Sequence, residues 1–155
     1  MIYEDFLCPA CGALEAETHE PLEAMADAGD VRVTYRPFIL LSQLGDYSER
    51  TTAAFGVVLD EAGPEVAKEF HDLLYANQPS ESGPFPDDEA LVDMAVEAGA
   101  DEAAVGDAIR DLDGADFAAG ATEVAEEAGV QQTPTILVDG EVYLGSGTGL
   151  LDELG

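Results

Sequence analysis

Two cysteines separated by two residues are the part of this sequence best suited to chemistry. Cys8 and Cys11 enclose Pro9 and Ala10, and the chain has no other cysteine. These four residues, called the cysteine motif below, follow a strand-like apolar run and begin a stretch with helical periodicity. Free N–H groups at a helix N-terminus stabilise a thiolate. The placement predicts that Cys8 is an exposed, acidic nucleophile and that Cys11 is a more buried resolving thiol.

Three other interpretations of the pair remain open. A structural disulfide would close so short a loop that it would restrain little of the unfolded chain. A structural zinc site needs four ligands, and only His19 and His71, far apart in the sequence, could join the two cysteines. The spacing could also occur by chance on an inert helix. Thiol–disulfide exchange is favoured because it needs one attacking and one resolving sulfur.

The segments beside the motif predict a β-α-β unit. Residues 1–7 are typical of a strand that begins abruptly, as if an earlier part of it were missing. A helix is predicted from the motif to about Ala28, and Pro21 is expected to kink or break it. Residues 31–36 alternate between apolar and polar side chains and predict a second strand, which Pro37 ends.

The middle of the chain predicts helices, and its end predicts a β-β-α unit. Ser48 is expected to cap the first helix, and Pro64 occupies a position typical of a first helical turn. Asp139 and Gly140 separate two apolar runs and therefore predict a hairpin with a two-residue turn. A short amphipathic helix is expected after the hairpin.

The charge of the chain excludes several classes of function. Its 155 residues include 34 acidic side chains and only five Lys and Arg, a formal net charge of −29. Nucleic-acid binding and docking on an anionic membrane both need a basic surface, so both are excluded. So many acids repel one another unless salt screens them, which leads to the hypothesis that the protein works in concentrated salt. A very soluble acidic extracellular domain is the alternative.

Two segments at opposite ends of the chain resemble a known family. Residues 3–11 (YEDFLCPAC) are similar to the first strand and active-site motif of the DsbA-like thiol–disulfide oxidoreductases of the thioredoxin superfamily. Residues 129–135 (GVQQTPT) resemble the segment of that family that carries a cis-proline. The resemblance covers nearly the whole chain, and the combination of the two segments is specific.

The resemblance implies an α/β architecture with a thioredoxin-like fold (β-α-β … β-β-α) and an inserted helical domain. Residues 1–47 and 130–155 would form the thioredoxin-like domain. Residues 48–129 would form the inserted domain, whose last helix could pack on the sheet.

The resemblance also assigns roles to individual residues. Cys8 would be the attacking and Cys11 the resolving cysteine, with no cofactor beyond the disulfide that they form. Pro134 would be the cis-proline that faces Cys8. The backbone of Thr133 would pair with a bound peptide as an added strand does.

One residue of the motif departs from the strongly oxidising members of the family. Those members have a histidine where this chain has Ala10, so Cys8 is expected to be less acidic and the disulfide less oxidising. Glu4 and Asp5 are expected to act in the same direction because negative charge disfavours a thiolate.

The expected function is oxidation of secreted proteins by the Cys-Pro-Ala-Cys pair. Reduced or unfolded polypeptides would be the substrates, and a membrane redox partner would reset the disulfide. The protein would act outside the cytoplasm, secreted or anchored through a segment outside this sequence, although a cytoplasmic reductase is compatible with two cysteines. The alternatives are a protein disulfide reductase or isomerase, a glutathione-dependent isomerase or transferase of small molecules, and a chaperone-like binding module.

Four further residues are interpreted as structural. His19 is expected on a solvated helix face, and His71 is expected to be a surface or packing residue. Arg32 and Arg36 share one face of the second predicted strand, and ion pairs with nearby acids are expected to explain them better than substrate binding.

The excess of negative charge predicts that the thermal stability of the protein depends on salt. The melting temperature should rise when KCl is increased from about 0.1 M to about 3 M, because the screening length falls from about 10 Å to about 3 Å or less. A melting series followed by circular dichroism measures this effect. A melting temperature independent of KCl would contradict the hypothesis of a salt-adapted protein.

Overall fold

A four-stranded mixed sheet forms the centre of the computed structural model, which describes residues 1–155. The strand order is β2-β1-β3-β4; β1 is parallel to β2 and antiparallel to β3, and β3 is antiparallel to β4. The strands are β1 (Ile2–Glu4), β2 (Tyr35–Pro37), β3 (Thr135–Val138) and β4 (Glu141–Tyr143). The turn between β3 and β4 has positive φ at Asp139 and Gly140, as the predicted hairpin requires.

Six helices surround the sheet. They are α1 (Pro9–Ala28), α2 (Tyr47–Ala76), α3 (Asp88–Glu97), α4 (Glu102–Arg110), α5 (Ala115–Glu127) and α6 (Gly147–Leu154), with a 3₁₀ turn at Ser42–Leu44. The predicted order of β-α-β, helices and β-β-α is confirmed. Helix α2 packs against α3, α4 and α5, and α1 packs against α6. None of these helices has the length and apolar character needed to cross a membrane.

Helix α1 contradicts one part of the prediction for Pro21, that it breaks the helix. The helix runs without interruption from Pro9 to Ala28 with Pro21 inside it. Proline removes one backbone hydrogen bond, but Thr18 and Leu22 on either side of it are buried. Burial of this face holds the helix together across the proline.

The second strand is shorter and lies further along the chain than predicted. Strand β2 pairs with only three residues of β1, and Pro37, expected to end the strand, is its last residue. Residues 31–34 precede it without strand structure, although the Thr34 carbonyl accepts a hydrogen bond from the Ile2 N–H over 2.9 Å. The prediction of a strand over residues 31–36 is therefore wrong for most of that segment.

The helix starts predicted at Ser48 and at Pro64 have different outcomes. Helix α2 begins at Tyr47 after Asp46, so the prediction that Ser48 caps it is wrong; the Ser48 hydroxyl bonds elsewhere. Further along α2, Gly63 has a φ of 87° and divides the helix into two segments. Pro64 directly follows and begins the second segment, as predicted.

The apolar core is divided between the sheet and the helical block, which consists of α2 to α5. The larger cluster has 20 buried residues and joins α2, α3 and α4 to Phe6, Leu7 and both cysteines. A smaller cluster joins β1 and β3 to α1 and α6. A third places Ala125 of α5 against Tyr3 of β1, so the last helix of the block packs on the sheet. The cysteine motif therefore lies where the helical block meets the sheet.

A close approach of α2 and α5 yields a prediction about stability. A Cβ atom at Gly114 would overlap the backbone carbonyl of Ala53, whereas nothing lies within 4 Å of a Cβ at Gly120 in the same region. Gly114→Ala should lower the free energy of unfolding by about 1–3 kcal/mol because rigid backbone must move. Gly120→Ala is the matched control and should raise it by about 0.5–1 kcal/mol. Urea unfolding measures both, and equal effects would contradict the packing described.

Candidate active site

The cysteine motif forms the junction between the sheet and α1. Cys8 is the N-cap residue, Pro9 occupies the first turn, and both thiols are free. Only 7% of Cys8 is accessible to solvent, so the prediction that it is exposed is wrong; Cys11, at 2%, is the more buried of the two, as predicted. Cys8 is covered because the apolar turn before it and the segment at Thr133 pack beside it.

The two thiols have opposite acidities. The hydrogen bond from Cys11 lowers the pKa of Cys8 to about 6, helped by Thr133 and by the backbone N–H groups of Ala10 and Cys11, while partial burial opposes the shift. The same bond and burial raise the pKa of Cys11 well above its usual value. Cys8 is therefore the thiolate at neutral pH, and Cys11 holds the proton that stabilises it.

The segment that contains Thr133 and Pro134 faces the motif. The peptide bond between these two residues is cis. Cys8 Sγ lies 3.4 Å from the backbone carbonyl oxygen of Thr133, to which the protonated thiol donates a hydrogen bond. The fold thus brings together four predicted site residues from opposite ends of the chain: Cys8, Cys11, Thr133 and Pro134.

Asp5 has a role that the sequence analysis missed. Its carboxylate is fully buried and accepts four hydrogen bonds. Oδ1 accepts from the Leu7 N–H over 2.8 Å and the Ser48 hydroxyl over 2.7 Å; Oδ2 accepts from the N–H groups of Leu40 and Leu41 over 2.8 and 2.9 Å. Asp5 therefore ties the turn before Cys8 to the start of α2. An acid inside an otherwise apolar run was the available signal.

Glu4 and His71 form a second buried polar contact that sequence reasoning did not find. His71 Nε2 lies 2.7 Å from Glu4 Oε1, and Nδ1 lies 2.8 Å from Asp72. Burial alone would lower the pKa of His71, but the carboxylates of Glu4 and Asp72 outweigh it and raise the pKa to about 9. His71 is fully buried and packs against the rings of Phe6, Tyr35 and Tyr75. Of the two expectations for it, the packing residue is confirmed and the surface residue is wrong. Its positive charge at neutral pH was not expected.

The possible metal ligands do not gather around the cysteines. The one cluster of three or more such groups consists of Glu15, His71 and Asp72. The four-ligand set considered for zinc is therefore not assembled. His19 lies 3.0 Å from Glu15 through Nδ1, at the edge of this cluster, and is partly exposed.

The two arginines at β2 contradict the prediction of ion pairs. Arg32 and Arg36 have no carboxylate within 4.0 Å, unlike Arg50, Lys68 and Arg110. Both are exposed beside an open cavity of about 680 Å³. β2 is one of the two edge strands of the sheet. Arg36 lies in β2 and Arg32 in the irregular segment before it, and both extend into solvent.

A groove lies beside the cysteine motif at Ala10. It has a volume of about 390 Å³ and passes between Ala10 of the motif, Pro134 and the end of β4. Leu144 lines it and is 87% exposed, the most exposed large apolar side chain of the chain. The groove therefore offers apolar surface beside Ala10 of the motif and Pro134.

Comparison with known proteins supports one chemistry. A family model described as thioredoxin matches residues 1–149. Reduced DsbG of Mycobacterium tuberculosis, a disulfide bond oxidoreductase, is 32% identical, with a TM-score of 0.83 over 99% of this chain and 74% of that chain. Oxidised DsbA of the same organism is 33% identical, with a TM-score of 0.82 over 99% and 79%.

A third solved structure extends the comparison. MdbA of Corynebacterium diphtheriae, a thiol-disulfide oxidoreductase, is 26% identical to this chain, with a TM-score of 0.80 over 99% of this chain and 81% of that chain. No curated protein matches the chain.

The geometry of the two thiols predicts the pH dependence of Cys8. In the reduced protein, Cys8 should titrate with a pKa of about 6. Cys11→Ala should raise this pKa because it removes the hydrogen bond that contributes most to the shift. Absorbance of the thiolate near 240 nm, recorded against pH, measures both proteins. A wild-type pKa at the usual value for a cysteine would contradict the site described.

Proposed function

The chain belongs to the DsbA-like thiol–disulfide oxidoreductases of the thioredoxin superfamily, and we propose that it oxidises reduced protein substrates through the Cys8–Cys11 pair. One arrangement carries this proposal: Cys8 is the N-cap residue of α1, where the Cys11 thiol and the first N–H groups of the helix lower its pKa. The roles of the site residues are part of the proposal. No cofactor beyond the disulfide is needed.

The reaction begins with the Cys8–Cys11 disulfide. A substrate thiolate attacks Cys8 Sγ, a bond forms between the two sulfurs, and the bond to Cys11 breaks. Cys11 leaves as a thiolate and takes up a proton, as its raised pKa favours. A second substrate thiolate then attacks the substrate sulfur of the mixed disulfide and displaces Cys8. Two electrons pass from the substrate to the pair, and the substrate gains a disulfide.

The direction of transfer follows from the stability of the reduced pair. A thiolate of low pKa is a good leaving group, and its stabilisation favours the reduced protein over the disulfide. The hydrogen bonds to Cys8 therefore support oxidation of substrates. Ala10 supplies no imidazole, so we propose an oxidant weaker than the family members with histidine at that position.

Binding of the substrate chain is assigned to the segment that faces Cys8. Thr133 has extended neighbours in β3 and its carbonyl lies beside the Cys8 sulfur. An extended peptide could pair with this backbone, as a strand added to a sheet does. The apolar groove that ends at Leu144 would hold side chains that an unfolded chain exposes.

Repeated turnover requires a redox partner. Each oxidised substrate leaves the pair reduced, so an oxidant must restore the disulfide, and we propose a membrane redox partner for this step. Disulfides persist outside the cytoplasm, which supports an extracytoplasmic location. Reductase or isomerase activity is the second candidate, and the absence of an imidazole at Ala10 is the observation that favours it.

The proposed roles of the two cysteines predict different trapping behaviour. Reduced Cys11→Ser should accumulate a mixed disulfide with scrambled ribonuclease A, because Cys8 attacks and no thiol resolves the product. Cys8→Ser should form none, and its rate of oxidising reduced ribonuclease A should fall at least about a hundredfold. Non-reducing electrophoresis and mass spectrometry measure the adduct.

Two outcomes would contradict the proposal. If Cys8→Ser retained oxidation activity, Cys8 would not be the attacking residue. If Cys8→Ser bound unfolded ribonuclease A as tightly as wild type does, and wild type showed no turnover, the protein would be a binding module.

A further inference from the structure

The amide of Gln78 reaches the cysteine motif from the loop after α2. Its Nε2 donates one hydrogen bond to the Phe6 carbonyl over 2.9 Å and a second to the Cys8 carbonyl over 3.0 Å. Both acceptors are carbonyl oxygens, so only the NH₂ end of the amide can face them. The side chain thus spans the turn that leads into the motif, from a residue 70 positions further along the chain.

The carbonyls of Phe6 and Cys8 differ in how many other hydrogen-bond donors they have. No backbone N–H donates to the Phe6 carbonyl, so Gln78 supplies its hydrogen bond. The Cys8 carbonyl also accepts from the N–H groups of Cys11 and Gly12, each over 3.1 Å. Gln78 therefore adds a third donor to the carbonyl that begins α1.

Helix α1 also leaves space for the amide. Gly12 lies one position after the motif, and a Cβ atom there would overlap Oε1 of Gln78. A glycine within a helix costs about 0.5–1 kcal/mol relative to alanine, so the position is not explained by helix stability. The absence of a side chain at Gly12 and the two hydrogen bonds are separate observations, and both define the position of the Gln78 side chain.

We propose that Gln78 is a positioning residue that fixes the direction of the Cys8 carbonyl and thereby aims the first N–H groups of α1 at the Cys8 sulfur. The carbonyl and the following N–H groups belong to linked peptide planes, so rotation of one changes the direction of the others. The N–H groups of Ala10 and Cys11 are among those that stabilise the Cys8 thiolate. The helical block thus acts on the reactive sulfur through one amide.

The experiment uses the rate at which iodoacetamide alkylates Cys8 in the reduced full chain, followed by mass spectrometry of the Cys8 peptide over a range of pH. The inference rests on the proposed role of Cys8 as the attacking thiolate, but alkylation reports the thiolate itself, so it can fail separately from redox activity. Melting temperatures of all variants are recorded alongside.

Three variants should shift the pH profile of alkylation to higher pH. At pH values below the midpoint of the alkylation profile, Gln78→Ala should slow alkylation about threefold, because the Cys8 carbonyl loses the hydrogen bond that fixes its direction. Gln78→Glu should slow it about tenfold, because a carboxylate cannot donate to carbonyls and adds negative charge near the thiolate. Gly12→Ala should reproduce the effect of Gln78→Ala, because it displaces the amide without changing the residue at position 78.

Two comparisons make the experiment specific. Asn77→Ala is the matched control, because Asn77 is the neighbouring amide and bonds only to Leu73 at the end of its own helix; its alkylation profile should equal that of wild type. The double variant Gly12→Ala/Gln78→Ala should shift the profile no further than either single variant, because both act through the same amide.

Two results would overturn the proposal. Unchanged alkylation profiles, together with a lower melting temperature, would show that Gln78 only stabilises the fold. Additive effects of Gly12→Ala and Gln78→Ala would show that Gly12 acts on the motif without Gln78.

Discussion

The buried carboxylate of Asp5 is the contact on which the geometry of the site depends. It has no cation beside it and accepts four hydrogen bonds from the turn before Cys8, from residues 40–41 and from Ser48. A buried charge is costly unless such charge-assisted bonds replace its hydration. The donors come from three separate segments, so the carboxylate joins the turn before α1, the segment after β2 and the start of α2 at one point.

The reactive sulfur is tuned by short-range contacts rather than by the charge of the whole protein. The net charge of −29 would disfavour a thiolate at a distance, yet the groups that lower the pKa of Cys8 are a neighbouring thiol, Thr133 and two N–H groups. Salt screens long-range repulsion but affects these direct hydrogen bonds far less. A redox site built from hydrogen bonds is therefore compatible with an acidic surface and with work in concentrated salt.

The local parts of this structure could be predicted from the sequence, and the long-range polar contacts could not. The order of elements, the turn at Asp139 and the helix start at Pro64 follow from residue types within a few positions. The pairing of His71 with Glu4 and the reach of Gln78 to Cys8 join residues about 70 positions apart, and nothing in either segment alone indicates its partner. The prediction that Pro21 breaks α1 failed because packing of the buried helix face outweighs a single lost hydrogen bond.

The reduction potential of the Cys8–Cys11 pair decides whether the pair can oxidise its substrates. The chain has no tryptophan, so the reduced fraction is best read by thiol alkylation and mass spectrometry after equilibration in glutathione or dithiothreitol buffers. With the thiolate stabilised and no imidazole at Ala10, the account predicts a two-electron transition between about −120 mV, typical of strong oxidants, and about −270 mV, typical of thioredoxin. A potential at or below about −270 mV, or no transition, would contradict an oxidising pair.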